Sequence, residues 1–143
     1  MRLIGFNFTK IQAERFKDKT ESIKFNSKVN ISSIEIIKSE IIKTKEEIIK
    51  VNFNYLLSYE PEFAKIELSG NAILSLDSKM AKQVSKGFND KGTPDDFKIF
   101  VLNIILKKVN LKSLQLEEEL NLPIHLPLIS LNKDSLKEKK EDN

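Results

Sequence analysis

The feature that most constrains this chain is an alternation that runs almost unbroken through residues 63–76. Ala64, Ile66, Leu68, Gly70, Ala72, Leu74 and Leu76 share one parity, and Lys65, Glu67, Ser69 and Asn71 share the other. A period of two sustained over that length describes an extended strand with one apolar and one polar face. Residues 48–58 repeat the pattern, with Val51, Phe53, Tyr55 and Leu57 set against Asn52, Asn54 and Ser58. Between the two runs, Tyr59-Glu60-Pro61-Glu62 is a turn signal, because proline fixes φ and removes a donor. Strands this long, about 35–45 Å at roughly 3.3 Å per residue, with one wet face, predict an antiparallel sheet.

The remaining segments extend that sheet and then leave it. Ile4, Phe6 and Phe8 alternate and predict a first strand, whereas residues 9–28 follow neither period. Val29, Ile31 and Ser33 share a parity that Ile34 and Ile36 abandon, which predicts a bulge near Ser32-Ser33. The polar run Lys43-Thr44-Lys45-Glu46-Glu47 predicts a hairpin turn between Ile-rich stretches. Residues 79–88 predict a short helix. Thr93-Pro94-Asp95-Asp96 then reads as a helix start, with a capping Thr, Pro at the first helical position and two acids facing the dipole. On a helical wheel, Asp96, Asn103, Lys107 and Asn110 gather in one stripe, and most of the remaining circumference is apolar. Two readings stay open: a helix sunk in its own domain, or one covered by its sheet on one side and by a partner subunit on the other. The second makes Phe97, Val101, Ile104 and Ile105 the candidate oligomer interface. A separate later helix is expected over residues 113–120, with Glu117-Glu118-Glu119 as its solvated part. Two prolines make residues 122–129 an extended apolar segment. The expected fold class is therefore α+β: a four-stranded antiparallel sheet with C-terminal helices packed on one face. One domain spans residues 1–131, and a charged tail without fixed structure spans residues 132–143.

Composition limits the chemistry. The 143 residues, 40% hydrophobic and 31% charged, suit one globular domain. No apolar run approaches the length of a membrane span, and the N-terminal apolar stretch, broken by Asn7 and Lys10, does not read as a signal peptide. With no cysteine and a single histidine, neither thiol chemistry nor a bound metal or other cofactor is expected, and the cytoplasm is the natural compartment. The net charge of +3 is spread among intermixed signs. In the tail, Lys133, Lys137, Lys139 and Lys140 are matched by Asp134, Glu138, Glu141 and Asp142, which argues against a nucleic-acid arm. Phe53 and Tyr55 lack basic immediate neighbours, so a base-stacking sheet is disfavoured. His125 sits in an apolar, proline-bracketed setting that favours a structural role over catalysis. The three consecutive glutamates point in different directions on a helix, which suits solvent better than a metal. The four glycines are too scattered to cradle a phosphate. No enzyme is expected.

Two stretches carry a family resemblance. One runs from Val51-Asn52-Phe53-Asn54-Tyr55 through Tyr59-Glu60-Pro61-Glu62-Phe63-Ala64-Lys65-Ile66-Glu67-Leu68-Ser69-Gly70. The other is Glu118-Glu119-Leu120-Asn121-Leu122-Pro123-Ile124-His125-Leu126-Pro127-Leu128. With the order of segments, they make residues 2–131 similar to the SecB-type export chaperones and their archaeal relatives. The resemblance implies an ATP-independent chaperone, a homotetramer built as a dimer of dimers, that holds unfolded client polypeptides in long apolar grooves. Phe53, Tyr55 and Leu57, with Leu122, Ile124, Leu126 and Leu128, are the candidates for lining such a groove, although the same residues suit a core. Where SecB proteins that hand cargo to a translocase motor carry an acidic sheet surface, this polar face mixes Lys65, Glu67, Ser69 and Asn71. Handover to a motor is not implied. The rival expectation is a structural scaffold whose apolar surface is consumed by self-assembly.

Overall fold

The computed structural model describes residues 1–19, 22–37, 46–128 and 130–134. Its elements are strands β1 (Arg2–Arg15), β2 (Lys24–Ile37), β3 (Glu46–Glu60) and β4 (Ala64–Asp77), followed by helices α1 (Ser78–Val84) and α2 (Asp95–Glu119). The strands form one antiparallel sheet in the order β1-β4-β3-β2. Three strands joined in sequence, with the first returning beside the last, make a Greek key. At 14 or 15 residues, each strand is about 45–50 Å long. The expected α+β architecture stands.

Both central strands obey their alternation. On the inner face, Ile49, Val51, Phe53, Tyr55, Leu57 and Tyr59 of β3 lie beside Ala64, Ile66, Leu68, Ala72, Leu74 and Leu76 of β4, all buried. The expected bulge in β2 is present as a register shift between Ile31 and Ser33. It puts Val29, Ile31 and Ile34 on the same inner face despite their change of parity.

Residues 9–28, which follow no period, include the end of β1 and the start of β2. A second shift, between Phe8 and Lys10, breaks the alternation there. Phe8 lies opposite Gly70 and Ile11 opposite Leu68, so an even and an odd residue both face inward. β1 is also an edge strand, with Ile11 half exposed, so its burial never marks one parity cleanly. Gly70 permits this close approach: a Cβ there would lie 2.2 Å from the Asn7 carbonyl oxygen. Above Gly70 and Ala72, Phe6 and Phe8 of β1 meet Phe53 of β3, with centroids at 5.5 and 6.4 Å. Small residues on the strand between them let the rings touch.

The β3–β4 turn contains a cis Glu60–Pro61 peptide, and the Phe63 N–H donates to the Tyr59 carbonyl at 2.8 Å. The hairpin expected at residues 43–47 falls mostly outside the described residues, although Glu46 and Glu47 already belong to β3. Residues 135–143 of the expected tail lie outside them too.

The helices depart from expectation in three ways. α1 is shorter than residues 79–88 and starts at Ser78, where Asp77 caps it by accepting from the Met80 N–H at 2.7 Å. The α2 cap residue is Pro94, while Thr93 Oγ1 donates to the Gly87 carbonyl at 2.7 Å and ties the preceding loop instead. Asp95 and Asp96 do occupy the first turn. α2 is one continuous helix of 25 residues, so no separate helix begins at Ser113. Nothing between Asn110 and Ser113 breaks it, since no Gly or Pro occurs inside.

Candidate functional site

α2 is the element on which the candidate residues converge. Its buried residues are Phe97, Val101, Ile105, Val109, Ser113 and Glu117, a strict i, i+4 row. At 100° per residue such a row advances about 40° at each step, and so winds about 200° around the helix over its length. The helix meets its sheet along this winding row. Three of the four interface candidates, Phe97, Val101 and Ile105, are therefore fully buried in the chain's own core, where no second subunit can touch them; Ile104 is half-buried. The side turned away from the sheet carries Ile99 (58% exposed), Leu106 (39%) and Leu111 (54%).

The groove candidates divide similarly. Phe53, Tyr55 and Leu57, at most 3% exposed, are core residues of the inner face. The sheet already has a cover, so they are closed to a client unless α2 moves. Leu122 is also buried, whereas Ile124 and Leu128 stand 45% and 59% exposed and Leu126 lies between. The C-terminal half of the candidate set thus forms a surface, and the strand half does not.

A Schellman turn sets the course of that C-terminal segment. Asn121 takes a positive φ of 52°, the Asn121 N–H donates to the Glu118 carbonyl, and the Leu122 N–H donates to the Glu117 carbonyl at 2.8 Å. Arg15 braces the same turn from β1, its Nη1 donating to the carbonyls of Leu120 (3.2 Å) and Asn121 (3.1 Å) while its guanidinium stacks 5.1 Å from the Phe63 centroid. The chain then folds back along α2.

There it meets a buried polar cluster. Glu117, fully buried, accepts from Tyr59 Oη at 2.6 Å and from the His125 backbone N–H at 2.9 Å, and its other oxygen lies 2.7 Å from His125 Nδ1. His125 Nε2 lies 3.1 Å from Asn110 Oδ1. Burial pushes the Tyr59 phenol well above its ordinary range, and its hydrogen bond to the Glu117 carboxylate pushes it further. The expectation that Glu117 is solvated is corrected here, while Glu118 and Glu119 are exposed. Glu117 lies at the end of the winding row, a position that a projection down a straight axis does not single out. The structural role expected for His125 matches its place, though its partners are polar. Asn110, a member of the polar stripe on the helical wheel, is one of them.

The opposite face of the sheet is polar and bound to itself. Asn52 Nδ2 donates to Ser33 Oγ and Ser69 Oγ to Asn54 Oδ1, both at 2.8 Å. Lys10 and Lys65 both pair with Glu67 and hold its carboxyl down to about 2. The mixed charge expected for this face is present.

No family profile matches the chain, and no curated protein matches it in sequence. Its fold is similar to that of a SecB-like chaperone of Mycobacterium tuberculosis, Rv1957, solved in complex with a ChAD peptide from the HigA1 antitoxin. The TM-score is 0.53 at 10% identity, over 92% of this chain and 89% of the other. At that identity the likeness is one of fold. Among the described residues, no helix is long and apolar enough to cross a membrane.

Proposed function

We propose that this chain is an ATP-independent holding chaperone: it self-associates and binds unfolded polypeptides through apolar surface on α2 and residues 122–128. The observation that carries this reading is the outward apolar strip of α2, Ile99, Leu106 and Leu111, exposed on a helix whose opposite side already fills the core. Exposed apolar surface of this kind on a folded domain marks an interaction site. The fold shared with a chaperone solved with a bound peptide supports the same reading. A dimer of dimers acting in the cytoplasm, with residues 1–131 as its single domain, belongs to this proposal. Ile104, Ile99 and Leu111 replace the buried Phe97, Val101 and Ile105 as the proposed subunit contacts.

The test is the aggregation of a chemically denatured model protein, followed by light scattering with and without a stoichiometric amount of this protein. Slower aggregation without nucleotide is expected; an unchanged rate sinks the proposal. The scaffold reading draws on the same strip, which a tight oligomer would cover. An apolar dye separates the two, because a scaffold leaves the native assembly dark and a holding chaperone lights it.

A further inference from the structure

The cluster around Glu117 does something that core packing does not require. Burying a carboxylate is costly unless it is fully hydrogen-bonded, and an apolar residue in its place would pack without that demand. Here three of its contacts fall on a residue pair from the core and the C-terminal segment: Tyr59 Oη, His125 N and His125 Nδ1. The ring's other nitrogen reaches Asn110, seven residues before Glu117 on the same side of α2. His125 is thus gripped at three points. Its neighbours are held much less: Ile124, Pro127 and Leu128 are exposed. Residues 122–128 therefore lie on α2 as an extended apolar strap with one polar pin. The side it occupies continues toward the helix N-terminus in steps of four and three residues, through Leu106 and Asn103, both exposed. The seat is longer than the strap.

We propose that residues 122–128 are a detachable strap, latched by His125 to Glu117 and Asn110, that competes with an extended apolar client segment for one side of α2. The competitor's identity rests on the chaperone reading; the latch does not. The present occupant, Leu122-Pro123-Ile124-His125-Leu126-Pro127-Leu128, is itself an apolar stretch unable to form a helix, which is the chemistry an unfolded chain presents. Opening the latch would expose Leu122 and Leu126 together with the covered part of α2, and so lengthen the apolar surface.

The experiment uses the full chain, its His125→Ala and Asn110→Ala variants, and a synthetic peptide of residues 121–131 as probe. Hydrogen exchange at the amide of residue 125 reads the latch, and anisotropy of the labelled peptide reads the vacated seat. Loss of a hydrogen bond to a charged group predicts that exchange in His125→Ala accelerates by about tenfold or more, with Asn110→Ala smaller but in the same direction. Peptide affinity should rise by a comparable factor, roughly tenfold, because the strap no longer competes. If His125→Ala loses the α+β circular dichroism signature, the half-buried Asn110→Ala carries the test. Unchanged exchange in the folded variants, or equal peptide binding by all three proteins, overturns the strap. Should the latch open and the peptide bind while none of the proteins slows aggregation, the strap stands and the chaperone reading falls. Slowed aggregation that is indifferent to the latch removes the strap and leaves the chaperone reading in place.

Discussion

At the scale of single residues, the strongest consequences come from groups whose partners are buried. Tyr59 has its phenol raised above the ordinary value of 10.0, which means the folded state favours the neutral form. The stability tied to it is therefore complete below pH 10 and is lost as the pH climbs past that value. Thermal melts of the wild type should fall steeply above pH 10, and those of Tyr59→Phe less steeply, although the variant starts lower for want of a donor to Glu117. Equal slopes would mean the phenol titrates freely. Glu67 has the opposite sign: its lowered carboxyl adds stability above about 4.5, lost as the pH falls toward about 2. Because its side chain is partly exposed, salt should erase that contribution. Gly70 offers a steric test. Its added Cβ would strike the β1 backbone, so Gly70→Ala should lower stability by about 1–3 kcal/mol in chemical denaturation, by forcing the edge strand outward.

At the scale of elements, α2 has two sides with separate jobs. Ile105 sits in the winding row that fills the core, and Ile105→Ala should cost about 2–5 kcal/mol in denaturation experiments. Ile99 and Leu111 face away from the sheet, so their alanine variants should change monomer stability by less than about 0.5 kcal/mol. Under the proposed function, those two substitutions weaken client capture and assembly instead. A pair of variants that shifts stability and capture together would contradict this division. The edge strands β1 and β2 divide their faces in a comparable way. Two register shifts in β1 and one in β2 keep large apolar residues inward while changing their parity.

At the scale of the whole molecule, the question is whether copies of this chain cover one another. The proposed assembly predicts a mass above that of the 16.5 kDa chain in sedimentation, and dissociation toward it when Ile99 and Leu111 are both replaced by aspartate. Circular dichroism should remain unchanged, since neither residue belongs to the core. A wild type that sediments as a single chain at high concentration removes the oligomer from the proposal.

The sheet was legible in the sequence because a strand's two faces alternate at a fixed period, and on β3 and β4 both neighbours are present to bury one of them. Even the β2 bulge showed, since Ile31 and Ile34 are apolar on either side of a single parity change. The site was less legible, and for a geometric reason. A straight-axis projection sums all turns of α2, so a contact row that winds around the helix looks like apolar residues on every side. That projection made the inward Phe97, Val101 and Ile105 look available to a partner, while Glu117, expected in a separate later helix, stood among three consecutive acids that share no face. Which residue faces sheet, strap or solvent depends on the local crossing of helix and sheet, and on the Schellman turn that brings His125 back onto Glu117. Both are contacts between segments far apart in the chain, and local periodicity contains no information about them.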